Sequence, residues 1–292
     1  NAHVVLEAVD NVKHLGIEES HAKLLSRPFL LPLSGNSESG LECAAKSHCD
    51  FLNKDTAPIN EICTSIGLNR QNLDERMVVI GNDQKSIRSN LKSWILNRIE
   101  SPECIIGKCS VTNSDPVFVF TGQGAQWWGM GQELFQDEPV FRKTIKKIDS
   151  LLEPLTGWSL VEEMNSNEET SKIDRTDVAQ PAIFALQVAL AELWKTWGVL
   201  PKKVVGHSVG EVAAAYVAGI YSLEDAIKVI FHRSYLQNKT GGKGKMVVVG
   251  LSKSEAEQII EGKGSEVQVA VVNGPAMVTL AGDTETLEEI TK

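Results

Sequence analysis

Residues 203–216 read KVVGHSVGEVAAAY, and the fold turns on how this stretch is read. A short apolar run closes at Gly206-His207-Ser208-Val209-Gly210 and an alanine-rich, helix-favouring run follows. The pattern predicts strand, sharp turn and helix, with Ser208 at the apex. Such a turn is so tight that the positions two before and two after its apex must be glycine or very small, and Gly206 and Gly210 stand there. The geometry exposes the serine oxygen. Backbone N–H groups at the start of the helix then point toward charge developing on a bound carbonyl, the N–H of Val209 first. The pentapeptide alone arises by chance in a glycine-containing chain; the strand before it and the helix after it give it weight.

A nucleophilic serine needs a base, and the neighbouring histidines supply none by this reading. His207 is adjacent, but side chains flanking a sharp elbow point apart, so it is expected to pack or orient the loop. His232 lies on a largely apolar helical pattern and reads as a packing residue. Beside it, Ala226, Val229, Arg233 and Leu236 fall on one helical face, which places a guanidinium on an apolar stripe. A buried Arg needs an anionic partner. Glu211 and Asp225 could serve, and so could a substrate carboxylate, whose geometry matches the Arg fork.

Upstream of the elbow, Val117 to Phe120 read as a strand ending in TGQGAQWWGMG, a glycine-rich turn where open α/β sheets place ligands. Helical patterns cover residues 138–152 and 178–197, the second with Asp177 ahead of it, Pro181 in its first turn and Gly198 at its end. Downstream, a helix closes near Gly219, and another follows with Ser222 and Asp225 as a capping box. From Gly241 the texture changes to strand, helix, strand, strand, helix, a ferredoxin-like βαββα without its final strand. The first third reads as a small α/β unit: strands at residues 1–9, PFLLPLSG and ERMVVIG, and helices from Ser37 to Leu52, over NEICTSIG up to Gly67, and after an Asp83 N-cap.

The 292 residues are 42% hydrophobic and 23% charged, with a net charge of −9, so a sizeable core is expected. No basic run points to nucleic acid, and neither a bilayer-length apolar run nor a signal-peptide layout is present, which reads as cytoplasmic. Cys43, Cys49, Cys63, Cys104 and Cys109 form no CxxC pair, so free thiols and no metal site are expected.

Taken together, FTGQGAQWWGMG, QPAIFALQVAL, GHSVGE, HRSYLQ and VVNGP, in this order, resemble the acyltransferase domain of type I polyketide synthases and animal-type fatty acid synthases, related to malonyl-CoA:acyl carrier protein transacylases. The joint match is specific. NAHVVLEAVD resembles the last strand of a ketosynthase domain, and RPFLLPLSGNSESGLECAAKS through RMVVIGNDQKSIRSNLKSW resembles the linker between ketosynthase and acyltransferase. The resemblance implies four segments: a ketosynthase strand over 1–10, the linker domain over 11–112, the large acyltransferase subdomain over 113–241, and the ferredoxin-like small subdomain, incomplete, over 242–292. The core is expected to be α/β-hydrolase-like.

By the same resemblance, Ser208 is the nucleophile, Gln123 and Val209 supply the oxyanion-hole amides, and Arg233 pairs with the free carboxylate of malonyl or methylmalonyl. Gln180, Asn273 and His207 match positions that line or support the pocket. The family's general base is a histidine well downstream of the small subdomain, so the chain is expected to be a piece of a longer one, with its base beyond Lys292. No permanently bound cofactor or metal is implied; the donor is a coenzyme A thioester and the acceptor the phosphopantetheine thiol of an acyl carrier protein. The ketosynthase of the same chain is a further expected partner. Val209 resembles malonyl-selective members, where methylmalonyl-selective ones often carry Gln, although RTDVAQP leans toward the methylmalonyl pattern. Two other readings stand beside this one. A serine hydrolase or thioesterase of α/β type has no need of a buried Arg, and a non-catalytic linker fragment of a megasynthase would bind carrier protein without turnover.

Overall fold

A computed structural model describes residues 28–54, 57–99, 101–109 and 115–291. The strand expected over residues 1–9 lies outside the described residues. The chain divides into two units, the first ending at residue 114 and the second beginning at Asp115.

In the first unit, β1 (Phe29–Gly35), α1 (Glu38–Phe51), α2 (Ile59–Asn69), β2 (Glu75–Gly81), α3 (Gln84–Asn97) and β3 (Cys104–Lys108) follow in order. The three strands pair antiparallel in the order β1-β2-β3, with Leu31 opposite Val79 and Val79 opposite Cys104. Alternation sends Leu31, Leu33, Met77, Val79 and Cys104 inward against Leu41, Ile62, Ile87 and Leu91 of the helices. Asp83 caps α3 reciprocally: its carboxylate accepts from the Ser86 N–H at 2.6 Å, and the Asp83 N–H donates to Ser86 Oγ at 3.0 Å. The sequence pattern ends α2 at Gly67, but the helix runs to Asn69, because Gly67 does not take the left-handed φ that would stop it. Strand β3 has no counterpart in the sequence reading. Cys43, Cys49 and Cys63 are free thiols, and burial pushes the Cys63 thiol up to about 11.

The second unit opens with β4 (Val117–Phe120), which pairs in parallel with β5 (Lys203–Gly206), Val119 opposite Val205. Between them run α4 (Gln132–Asp137), α5 (Pro139–Thr156), α6 (Leu160–Met164) and α7 (Thr176–Thr196). In α5, Phe141, Ile145, Ile148 and Leu152 recur on one face and are at most 1% exposed. They pack on α7, which is buried almost all round and therefore central. Helix α7 begins at Thr176, earlier than the pattern indicates, so Asp177 lies inside it in an ion pair with Arg175, and Pro181 falls in the second turn. Behind β5 come α8 (Gly210–Val217) and α9 (Leu223–Asn238). Gly198 and Gly219, at φ 80° and 77°, follow the ends of α7 and α8 where a left-handed residue is required.

Ser222 caps α9 by accepting from the Asp225 N–H at 3.1 Å, while the Asp225 carboxylate accepts from the Ser222 hydroxyl at 2.8 Å. The expected box is thus a single cap, since aspartate is a methylene short of the glutamate that usually reaches back to the N-cap N–H. Where Glu stands at that position the box closes: the Ser252 N–H donates to Glu255 Oε2 at 2.8 Å, and the Glu255 N–H to Ser252 Oγ at 3.3 Å. That cap starts α10 (Lys253–Ile259), between β6 (Lys245–Val249) and β7 (Val267–Gly274); β8 (Met277–Gly282) and α11 (Thr284–Ile290) complete the unit. The order β6-β8-β7, antiparallel throughout, is the arrangement of a ferredoxin-like βαββα, with Val267, Val278, Leu280, Ala256 and Leu287 as its core.

Candidate active site

Ser208 sits between β5 and α8 at φ 55°, one of two described non-glycine residues with positive φ. That conformation costs of order 1 kcal/mol or more and persists only where the surroundings enforce it. Here they do. A Cβ on Gly206 would lie 2.4 Å from Glu211 Cα, and one on Gly210 would lie 2.2 Å from the Phe120 carbonyl oxygen. The chain crosses itself too closely at both positions for any side chain, which is the physical content of the GxSxG spacing.

The loop after β4 closes on this elbow. A Cβ on Gly122 would meet His207 Nδ1 at 2.9 Å and Ser208 Cβ at 3.3 Å, so the loop lies against the serine more closely than a side chain allows unless the His207 ring gives way. Thr121, just before it, is held from α7: Gln187 Nε2 donates to the Thr121 carbonyl at 2.8 Å. Among the described residues, neither the Gln123 nor the Val209 N–H has a hydrogen-bond partner. These are the two amides that the sequence resemblance assigns to an oxyanion hole, and both are left open to donate.

The polar groups here form one connected network. Arg233 Nη2 donates to Ser208 Oγ at 2.9 Å. Arg233 Nη1 donates to Gln180 Oε1 at 2.5 Å and to Gln237 Oε1 at 3.2 Å. Gln180, only 1% exposed, donates through Nε2 to Gln237 Oε1 at 2.7 Å and to Gln123 Oε1 at 3.0 Å. The loop carrying Gln123, the central helix, α9 and the elbow are therefore tied through a single buried amide. Gln237 escaped the sequence reading, although its place one turn beyond Arg233 on α9 was a usable signal.

Arg233 is half-buried, and no carboxylate lies within ion-pair distance among the described residues. Burial pushes its guanidinium below the ordinary range, and the charge of Glu211 opposes that. Neither partner read from the sequence is in contact: Glu211 is exposed, and Asp225 faces Ser222 and Lys228. The apolar stripe is also narrower than it reads, because Val229 and Leu236 are exposed while Ala226 is buried. Three guanidinium hydrogens are committed to the two glutamines and Ser208, which leaves Nε–H and one N–H of Nη2 for another acceptor.

His207 and His232 are exposed, and neither is hydrogen-bonded to Ser208; His232 tilts against the Phe231 ring. Asn273, on the β7–β8 hairpin, donates to Thr279 Oγ1 at 2.8 Å and is not part of the Ser208 network.

A profile of the family described as acyl transferase domain matches residues 117–292, a span holding the elbow, the Gln123 loop and Arg233. This chain belongs to that family. Around this acyltransferase the relatives are polyketide synthases: it is 35% identical over 291 residues to erythronolide synthase EryA2 of Saccharopolyspora erythraea, and 34% identical over 305 residues to the hybrid PKS-NRPS synthetase pyvA of Aspergillus violaceofuscus. It covers 8% of each of those proteins, and 99% of its own length is matched. The acyltransferase domain from module 8 of the salinomycin polyketide synthase superposes with a TM-score of 0.83 at 33% identity, over 90% of this chain and 62% of that one. The acyltransferase domain of SpnD, in complex with 2-(pent-4-yn-1-yl)malonyl, does so with a TM-score of 0.77 at 25% identity, over 91% and 61%. The α/β architecture of the acyltransferase is thus that of polyketide synthase acyltransferase domains. Among its described residues, no helix is long and apolar enough to cross a membrane.

Proposed function

We propose that this acyltransferase moves a malonyl-type group from coenzyme A, through an ester on Ser208, to the phosphopantetheine thiol of an acyl carrier protein in a polyketide or fatty acid synthase that also carries a ketosynthase. The observation that carries the reading is the guanidinium of Arg233: half-buried, without a carboxylate partner among the described residues, and 2.9 Å from the serine oxygen. A substrate bearing a free carboxylate supplies the missing anion and is thereby anchored beside Ser208. The SpnD complex with a substituted malonyl supports that assignment. A hydrolase of neutral acyl chains has no use for this arrangement.

Ser208 Oγ attacks the thioester carbonyl while the Gln123 and Val209 N–H groups take the charge on its oxygen. The tetrahedral adduct expels the coenzyme A thiolate, which receives the serine proton by way of a general base; attack by the carrier thiol then releases Ser208. No imidazole among the described residues is bonded to Ser208, and we assign the base to a histidine outside them, as the family resemblance implies.

Malonyl is the reading favoured by Val209, yet its side chain is fully buried in the core, so it acts on the pocket by shaping the elbow and not by touching the substrate. Incubation with radiolabelled malonyl-CoA, with and without imidazole as a substitute base, tests the proposal. Label that survives denaturation, rises with imidazole and is absent in Ser208→Ala supports it; label retained in Ser208→Ala overturns it.

A further inference from the structure

Resting on the reading that Arg233 receives the substrate carboxylate, we propose that Gln237 is the positioning residue that aims it, and that the preference for a dicarboxylic over a monocarboxylic thioester depends on this glutamine. A guanidinium can meet a carboxylate through either of two edges, Nη1 with Nη2 or Nε with Nη2. Gln237 Oε1 and Gln180 Oε1 both accept from Nη1, at 3.2 and 2.5 Å, and so close the first edge. Nε and Nη2 keep free hydrogens, and Nη2 is the nitrogen that faces Ser208. The side-on edge is therefore the one left for the substrate, and it lies toward the nucleophile.

Gln180 alone cannot do this. Its Oε1 occupies one Nη1 hydrogen, and the second stays open without Gln237 Oε1, which also accepts from Gln180 Nε2 alongside Gln123 Oε1 and so helps hold the Gln180 oxygen toward Arg233. Gln237 thus orders Gln180 and Arg233 together. It sits four residues beyond Arg233 on the same face of α9, exposed, where no packing requirement explains an amide.

The test measures affinity for malonyl-CoA and acetyl-CoA by calorimetry in a Ser208→Ala background, where no ester forms. Gln237→Met, matched in length but lacking the acceptor, weakens malonyl-CoA binding about tenfold, the scale of one hydrogen bond to a charged group, and leaves acetyl-CoA binding unchanged. Arg233→Ala removes the difference between the two thioesters, and adding Gln237→Met to it has no further effect. The conservative Gln237→Glu, which keeps the acceptor, retains one orientation of the guanidinium, seen as separate Nη resonances in 15N NMR that merge in Gln237→Met. Equal weakening for both thioesters, an unchanged preference in Gln237→Met, or an effect that persists without Arg233 would each overturn the proposal. A preference that survives Arg233→Ala instead refutes the carboxylate role of Arg233 itself, so the two failures are told apart. Because residue 237 is exposed, these variants fold; matching circular dichroism spectra and melting temperatures verify it, and Gln237→Leu repeats the loss of the acceptor with a second side chain.

Discussion

Arg98 and Ser208 share a φ of 55° and almost nothing else. Arg98 ends α3: its left-handed turn lets its N–H return to the Trp94 carbonyl at 2.8 Å, its guanidinium lies 4.6 Å from the centre of the Trp94 ring, and it pairs with Glu42. The strained backbone there is offset by contacts of the strained residue's own side chain. At Ser208 the side chain makes one hydrogen bond, and the conformation is imposed from outside by Gly206, Gly210 and Gly122 pressing on the turn. The same dihedral angle closes a helix in one unit and exposes a hydroxyl in the other, so an outlier marks function only where its neighbours, rather than its own contacts, hold it in place.

The contrast is broken most severely at the flanking glycines. Gly210→Ala puts a Cβ 2.2 Å from the Phe120 carbonyl oxygen, and a loss of roughly 3 kcal/mol or more is expected in urea denaturation, with ester formation abolished as the elbow shifts. Next in size is Ser208→Ala, which removes malonyl labelling and keeps the strain, so the unfolding midpoint stays near wild type. Ser208→Gly removes labelling too, but relieves the left-handed residue, and a gain of up to about 1 kcal/mol is expected from thermal unfolding. Arg98→Gly gains the same relief while losing the Glu42 pair and the Trp94 ring contact, so at neutral pH its net effect is close to zero.

Acid then separates the two glycine variants. Hydrogen bonds from Lys46 and then Arg98 hold the Glu42 carboxyl below its ordinary 4.5. A depressed carboxylate contributes stability that is present above the ordinary value and is lost as pH falls through the folded one. Below about pH 4.5 wild type therefore loses the pair that Arg98→Gly already lacks, and the variant becomes the more stable chain; the Ser208→Gly difference stays flat. Denaturation midpoints between pH 3 and 7 decide this, and parallel pH profiles for the two variants would contradict it.

What could be read from the sequence was whatever local chemistry demands by itself. The elbow was legible because a tight turn dictates its residues, and the caps at Asp83 and Ser222 because a side chain must satisfy a nearby N–H. Arg233 stood out as a charge among apolar neighbours. Its actual partners were not legible, since Gln180 lies 53 residues away and meets it only after α7 and α9 pack. Strand β3 was missed because CIIGK is short and two-sided and takes its place only through pairing with β2. Helices α4 and α6 span six and five residues, too few turns to show a period.

Helix α7 grips the Gln123 loop at two points, Gln180 on the Gln123 side chain and Gln187 on the Thr121 carbonyl. Seven residues apart, these side chains project from the same face about 10.5 Å apart along the axis. A substitution elsewhere on α7 changes packing, but one residue added or deleted between them rotates the second grip by about 100° and pulls the loop off the elbow. This stretch therefore works as a fixed ruler, and chimaeric synthases assembled from related acyltransferases are expected to tolerate junctions on either side of residues 180–187 but not a change of length within them.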